Sequence, residues 1–306
     1  MMLFRGVDML IKTLIGWVNP PFENPLYRLK VRHNASFTTS RSLYQWTRET
    51  MLWTSGCLFA WMILQTLLLW NTQQLTLTTL TIDRLYSLLV PVTLNIFGLS
   101  LLLGLGLDLA MFAAGQQAKR DRQFKYEWDL VRVTPLPPQQ ILDAYITLTR
   151  LRSWSVLSVN ATARLIVVGL ILVLSLFASG RSPENQATLW SIALMSGFFV
   201  WELAWRHRAF SVLTLAFSFV PILNSAPLGL LAIIGGWIAQ GMTLIYLWVF
   251  FWLISDTLAT RYGFALPIAL IFVLALYALI FFCAYYLLYR LGLAFVRKRL
   301  LTAESS

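Results

Sequence analysis

Two cysteines, two histidines and 13 acidic side chains among 306 residues leave little of what most catalytic and metal centres are built from. Cys57 and Cys283 sit in separate apolar runs, which argues against a disulfide framework and against a zinc site made of cysteine pairs. His33 follows Arg32 and His207 stands between Arg206 and Arg208, so both read as solvated loop residues and not as metal ligands. No nucleophile with a neighbouring base and no cluster of carboxylates is evident, so the chain carries no catalytic residue. A G-x-x-x-x-G-K-[ST] stretch is missing, which excludes a P-loop for nucleotide phosphates.

Charge is scarce as well, at 12% of residues, while 58% are hydrophobic and the mean hydropathy is +0.69. Several apolar runs reach the roughly 20 residues that a helix needs to cross a bilayer core of about 30 Å. Such runs are too long for the alternating strands of a closed barrel. The reading is an all-α integral membrane protein with six transmembrane helices. The spans fall at about 51–70, 85–114, 164–179, 187–205, 209–254 and 265–289. Pro91 and several glycines predict tilt or a kink in the second. Pro221, Asn224, Pro227, Gly235, Gly236 and Gly241 make the fifth a broken or re-entrant segment. Trp205, Arg206, His207 and Arg208 read as a basic stop where the fourth span meets a headgroup layer.

The net charge of +11 is distributed between spans, which fits membrane topology and not nucleic-acid binding. Residues 1–50 and the long polar stretch 116–163 hold most of the cations, whereas the alternate links carry little beyond Arg84, Arg181 and Arg261. The positive-inside rule then places both termini, the tail 291–306 and the loop 116–163 in the cytoplasm, with the chain in the plasma (inner) membrane. Arg5, Asp8 and Lys12 interrupt the first apolar pattern and no small-residue cleavage site follows, so the N-terminus is expected to be retained. Leu3, Phe4, Val7, Leu10, Ile11, Leu14, Ile15 and Val18 share one helical face. That helix either lies on the membrane surface or packs against the protein's own cytoplasmic part.

Two acids fall inside spans. Glu202 has Arg206 one turn ahead and reads as half of an i, i+4 ion pair; Asp108 has Lys119 or Arg120 within reach at the inner boundary.

Within 116–163, the order Tyr126-Glu-Trp-Asp-Leu-Val-Arg-Val-Thr-Pro-Leu-Pro-Pro-Gln-Gln-Ile141 reads as helix, tight turn, helix. Thr134 and Pro135 break the first helix, and Pro137 or Pro138 can open the next. Here the chain resembles the membrane subunits of type-2 ABC exporters, in which an acidic residue, a short leucine-containing helix and a Thr-Pro-Leu turn precede the third span. Glu127, Leu130, Thr134, Pro135, Leu136, Pro137 and Ile141 follow that order. Asn24-Pro25-Leu26-Tyr27-Arg28 is similar to the Asn-Pro and basic stretch with which many such permeases begin. The resemblance implies that 127–141 is a coupling helix docking on a separate ABC ATPase subunit, which would bind ATP and magnesium, while this chain binds no cofactor. It further implies a second permease copy or homologue as partner. Three other readings remain beside it: a juxtamembrane hairpin without a partner, an ATP-independent secondary transporter, and a non-transporting scaffold subunit of a membrane complex.

Overall fold

The computed structural model describes residues 8–9, 11–16, 20–32, 37–72, 82–120, 137–178, 183–218, 229–231, 233–238 and 266–302, and among these there is no strand. The main helices are α1 (Pro25–Val31), α2 (Ser40–Thr72), α3 (Ile82–Arg120), α4 (Pro138–Arg152), α5 (Trp154–Ala178), α6 (Pro183–Ser218) and α7 (Leu266–Thr302). Four contain stretches long and apolar enough to cross a membrane: Ser40–Asn71, Leu88–Ala113, Trp154–Leu174 and Ala275–Lys298. The chain is therefore an all-α, membrane-embedded protein.

Local chemistry explains where these helices start and how they tolerate polar residues. Asn24 caps α1, its Oδ1 accepting from the Leu26 N–H at 3.0 Å and the Tyr27 N–H at 3.4 Å. Pro25 and Pro138 open α1 and α4, where a missing N–H costs nothing. In α2 the hydroxyls of Thr47, Thr50, Thr54, Ser55 and Thr66 donate to carbonyls one turn back, so none enters the apolar layer unsatisfied. Pro91 lies inside α3, as the sequence led one to expect.

Contacts between helices set their directions. From α4–α5 to α6 the pairs Arg150–Ser211, Ser153–His207 and Arg164–Glu202 fall on one side as they rise on the other, so α4–α5 and α6 are antiparallel. Trp154 donates to Thr47 at 2.8 Å, which sets the start of α5 beside the start of α2. α6 and α7, by contrast, run in parallel: Phe198 meets Tyr277, Trp205 meets Phe282 and Val212 faces Gly292. The helical residues 229–238 run against α3, with Gly229 beside Phe112 and Trp237 beside Gly104. One end of the bundle thus gathers the beginnings of α2 and α5 with the ends of α3, α6 and α7. α6 lies between α5 and α7 and also touches α3 and α4.

The helices overrun the spans read from the sequence. The third begins at Trp154, so the stretch 116–163 holds α4 and the first turns of α5 as well as its connecting residues. The fourth runs without interruption to Ser218, through the region where a basic stop was expected. Arg206 and His207 are each only 2% exposed, because both have partners inside the bundle. Near the N-terminus, Ile11 and Leu14 are buried against the protein itself, and Asp8 accepts from Tyr44 while pairing with Lys12 at 2.9 Å.

Candidate functional site

Four charged side chains meet in the bundle, each at most 2% exposed: Asp108 on α3, Arg164 on α5, and Glu202 and Arg206 on α6. Arg164 Nη1 donates to Glu202 Oε2 at 3.1 Å, and Arg206 Nη1 lies 3.5 Å from Glu202 Oε1. Arg206 Nε donates to Asp108 Oδ2 at 3.0 Å and Oδ1 at 3.2 Å, and its Nη2 also reaches Oδ2, a forked arrangement that fits a planar guanidinium. With two charges of each sign, the set is neutral.

Neutral donors and rings complete it. Tyr285 on α7 donates to Glu202 Oε1 at 2.8 Å, and Trp237 donates to Asp108 Oδ2 at 2.9 Å. The Arg206 guanidinium lies over the Trp237 ring at 4.1 Å, and that of Arg164 over Phe199 at 3.8 Å while donating to the Phe199 carbonyl. Asn160, with its amide oriented to suit both neighbours, donates to the Ser100 carbonyl at 3.1 Å and accepts from the Gly104 N–H at 3.3 Å. Those two backbone groups are one turn apart on α3, so a side chain of α5 bridges a step of the α3 ladder, four residues before Asp108. Arg164 Nε is buried and has no hydrogen-bond partner. The network ties α3, α5, α6, α7 and the 229–238 helix at a single level.

Burying ions in lipid is costly unless each is paired and hydrogen-bonded, which this arrangement provides. The i, i+4 pair of Glu202 and Arg206 matches the sequence reading. Asp108 is joined to Arg206, 98 positions away; the side chains of Lys119 and Arg120, the partners expected from the sequence, lie outside what the structure describes. Arg164, Tyr285 and Trp237 were missed. Arg164 carried a signal, a lone cation at the edge of an apolar run, but was read as a boundary residue.

A second polar group lies at the joint between α4 and α5. Ser153 alone separates the two helices, and its hydroxyl lies 3.2 Å from His207 Nε2. Arg150 Nε donates to Ser211 Oγ at 3.0 Å. Burial lowers the Arg150 guanidinium to about 10, partly opposed by Tyr289. At the other end of α4, Asn24 Nδ2 donates to the Gln140 carbonyl at 2.8 Å, so the cap of α1 also holds the first turn of α4. Pro137 is exposed just before α4, and Ile141 is buried in the core. Glu127, Leu130, Thr134, Pro135 and Leu136 lie outside the described residues.

Comparison with family models, curated proteins and solved structures finds no match. The geometry has to be read on its own terms. No group of three or more metal-ligating side chains occurs among the described residues. His207 is buried beside Ser153, not solvated as the sequence suggested. The arrangement suits mechanical linkage: a bonded hub in the bundle, and a helix outside the spans fastened at both ends.

Proposed function

We propose that this chain is the membrane-spanning subunit of an ATP-driven exporter, coupling to a separate ATPase through residues 127–141. What supports the reading above all is the mounting of α4. At 15 residues it is shorter than a membrane span, it is held by Asn24 at its start, and it passes through one residue into α5. A push delivered ahead of Pro137 would therefore reach α5, and through Arg164 the charged hub, without being lost in a slack loop.

Six crossings fit the helix directions. α6 ends and α7 begins at opposite ends of the bundle, and between them the described residues 229–231 and 233–238 run in the returning sense. The described cations support a cytoplasmic basic end: Arg41, Arg48, Arg150, Arg152, Arg208, Arg290 and Arg297 belong to it, while Arg84 stands at the start of α3. Both termini then face the cytoplasm, and ATP and magnesium belong to the partner. A second copy or homologue would complete the translocation path.

Purification of the tagged chain from its native membrane tests the proposal. A P-loop ATPase should accompany it, and Leu130→Asp with Leu136→Asp should release that subunit; association unchanged by both substitutions rejects the docking role. Vesicles holding the complex should export in an ATP-dependent, vanadate-sensitive manner.

The buried carboxylates Asp108 and Glu202 favour one other reading, an ion-coupled secondary transporter. Transport by the chain alone, driven by a proton or sodium gradient, would decide for it.

A further inference from the structure

Among the groups that complete the hub, Trp237 alone comes from a short helical segment, Gly229–Ile238. That segment turns one stripe to the bundle, Gly229, Ile233 and Trp237, spaced four residues apart. Its other side is open, with Leu230, Leu231, Ile234 and Ile238 all exposed. The indole of Trp237 fills a three-sided slot. Asp108 Oδ2 accepts its N–H at 2.9 Å, and the Arg206 guanidinium lies over its face at 4.1 Å. Gly104 on α3 closes the third side, where a Cβ would meet Trp237 Cη2 at 3.4 Å. The two residues just ahead of the ring are glycines, and packing requires neither of them. A Cβ at Gly235 would meet nothing within 4 Å, and one at Gly236 only Phe210, at 3.9 Å. Alanine would fit at both places and hold the helix better, so the glycine pair loosens the helix directly beside the ring.

We propose that this slot is a binding site for a planar aromatic small molecule with an N–H or O–H donor on its edge, and that Trp237 occupies it until displaced. Two walls select that class together: the carboxylate takes a donor, and the face of the guanidinium takes a π surface. When the ring leaves, Asp108 keeps its bonds to Arg206, so the ions stay paired while the slot stands open. Gly235 and Gly236 give the ring its freedom to turn out, while Gly229 and Ile233 keep the segment docked. A ligand then has only to select the released conformation. The inference concerns this chain alone and does not rest on the exporter reading.

The full chain in detergent, labelled with 5-fluorotryptophan, gives a fluorine signal for Trp237 that is identified by its loss in Trp237→Phe. Indole should move that signal towards the position of an exposed ring. 1-Methylindole, which lacks the N–H donor, should need at least about tenfold more to do the same. Gly235→Ala with Gly236→Ala should reduce the response to indole severalfold without lowering the melting temperature. Trp237→Ala, which empties the slot, should bind indole more tightly than the parent chain, because no tethered ring competes. Should that variant fail to fold, the parent chain and the two-alanine variant decide. A Trp237 signal that indole leaves in place, an equal response to indole and 1-methylindole, or a response indifferent to the two alanines overturns the proposal.

Discussion

Glu202 and Arg206 stand one turn apart on α6 at 3.5 Å, yet each makes its closer ionic contact with another helix, Glu202 with Arg164 and Arg206 with Asp108. The pair within the helix is the bridge between two interhelical pairs. Removing Glu202 therefore strands Arg164, and removing Arg206 strands Asp108.

Arg206→Gln should lower stability by about 3–5 kcal/mol, the usual consequence of stranding a buried charge. The double variant Asp108→Asn with Arg206→Gln should lose less than the sum of its parts. Thermal unfolding in detergent across the four proteins of the cycle measures the coupling; additive losses would mean that the contact contributes nothing.

Asn24 serves two partners with different atoms, so two substitutions separate them. Asn24→Asp keeps the α1 cap and loses the donor to Gln140, whereas Asn24→Ala loses both and should destabilise by about 1 kcal/mol more. Amide exchange should accelerate in the first turn of α4 in both variants, and in α1 only for alanine.

Gly229 has no room for a side chain, since a Cβ there would come within 1.9 Å of the Phe112 ring. Gly229→Ala should cost about 1–3 kcal/mol as the ring is pushed aside. Phe112→Leu in the same chain should recover part of that loss. Recovery in the melting temperature, absent for Phe112→Leu alone, is the measurement.

Alkali should loosen the region around α1 and α4. Burial pushes the Tyr27 and Tyr145 phenols each up to about 12, against an ordinary value near 10. Between those values the unfolded chain binds fewer protons than the folded one, so the contribution is complete below pH 10 and is lost as pH rises towards 12. Arg150, lowered to about 10, works in the opposite sense over the same range. Tyr27→Phe with Tyr145→Phe should therefore flatten the alkaline fall of the melting temperature relative to the parent chain.

Legibility in the sequence followed the range of the interaction. Apolar runs located the membrane helices, and helical spacing alone paired Glu202 with Arg206. For Asp108 proximity along the chain was the only guide and pointed to Lys119 or Arg120; the register of α3 against α6, where Phe97 also meets Phe199, brings Arg206 to it, which no local pattern announces. The same limit hid His207, whose flanking arginines resemble an exit from the membrane until Ser153 is placed across from it. Trp237 bears no local mark at all, since its meaning comes from a partner 129 positions away.

The order of synthesis gives the charged hub a last consequence. Asp108 and Arg164 leave the ribosome before Glu202 and Arg206, so α3 and α5 must enter the insertion machinery with their ions unmatched by α6. Only the arrival of α6, which carries both Glu202 and Arg206, supplies each of the two early residues with its final partner.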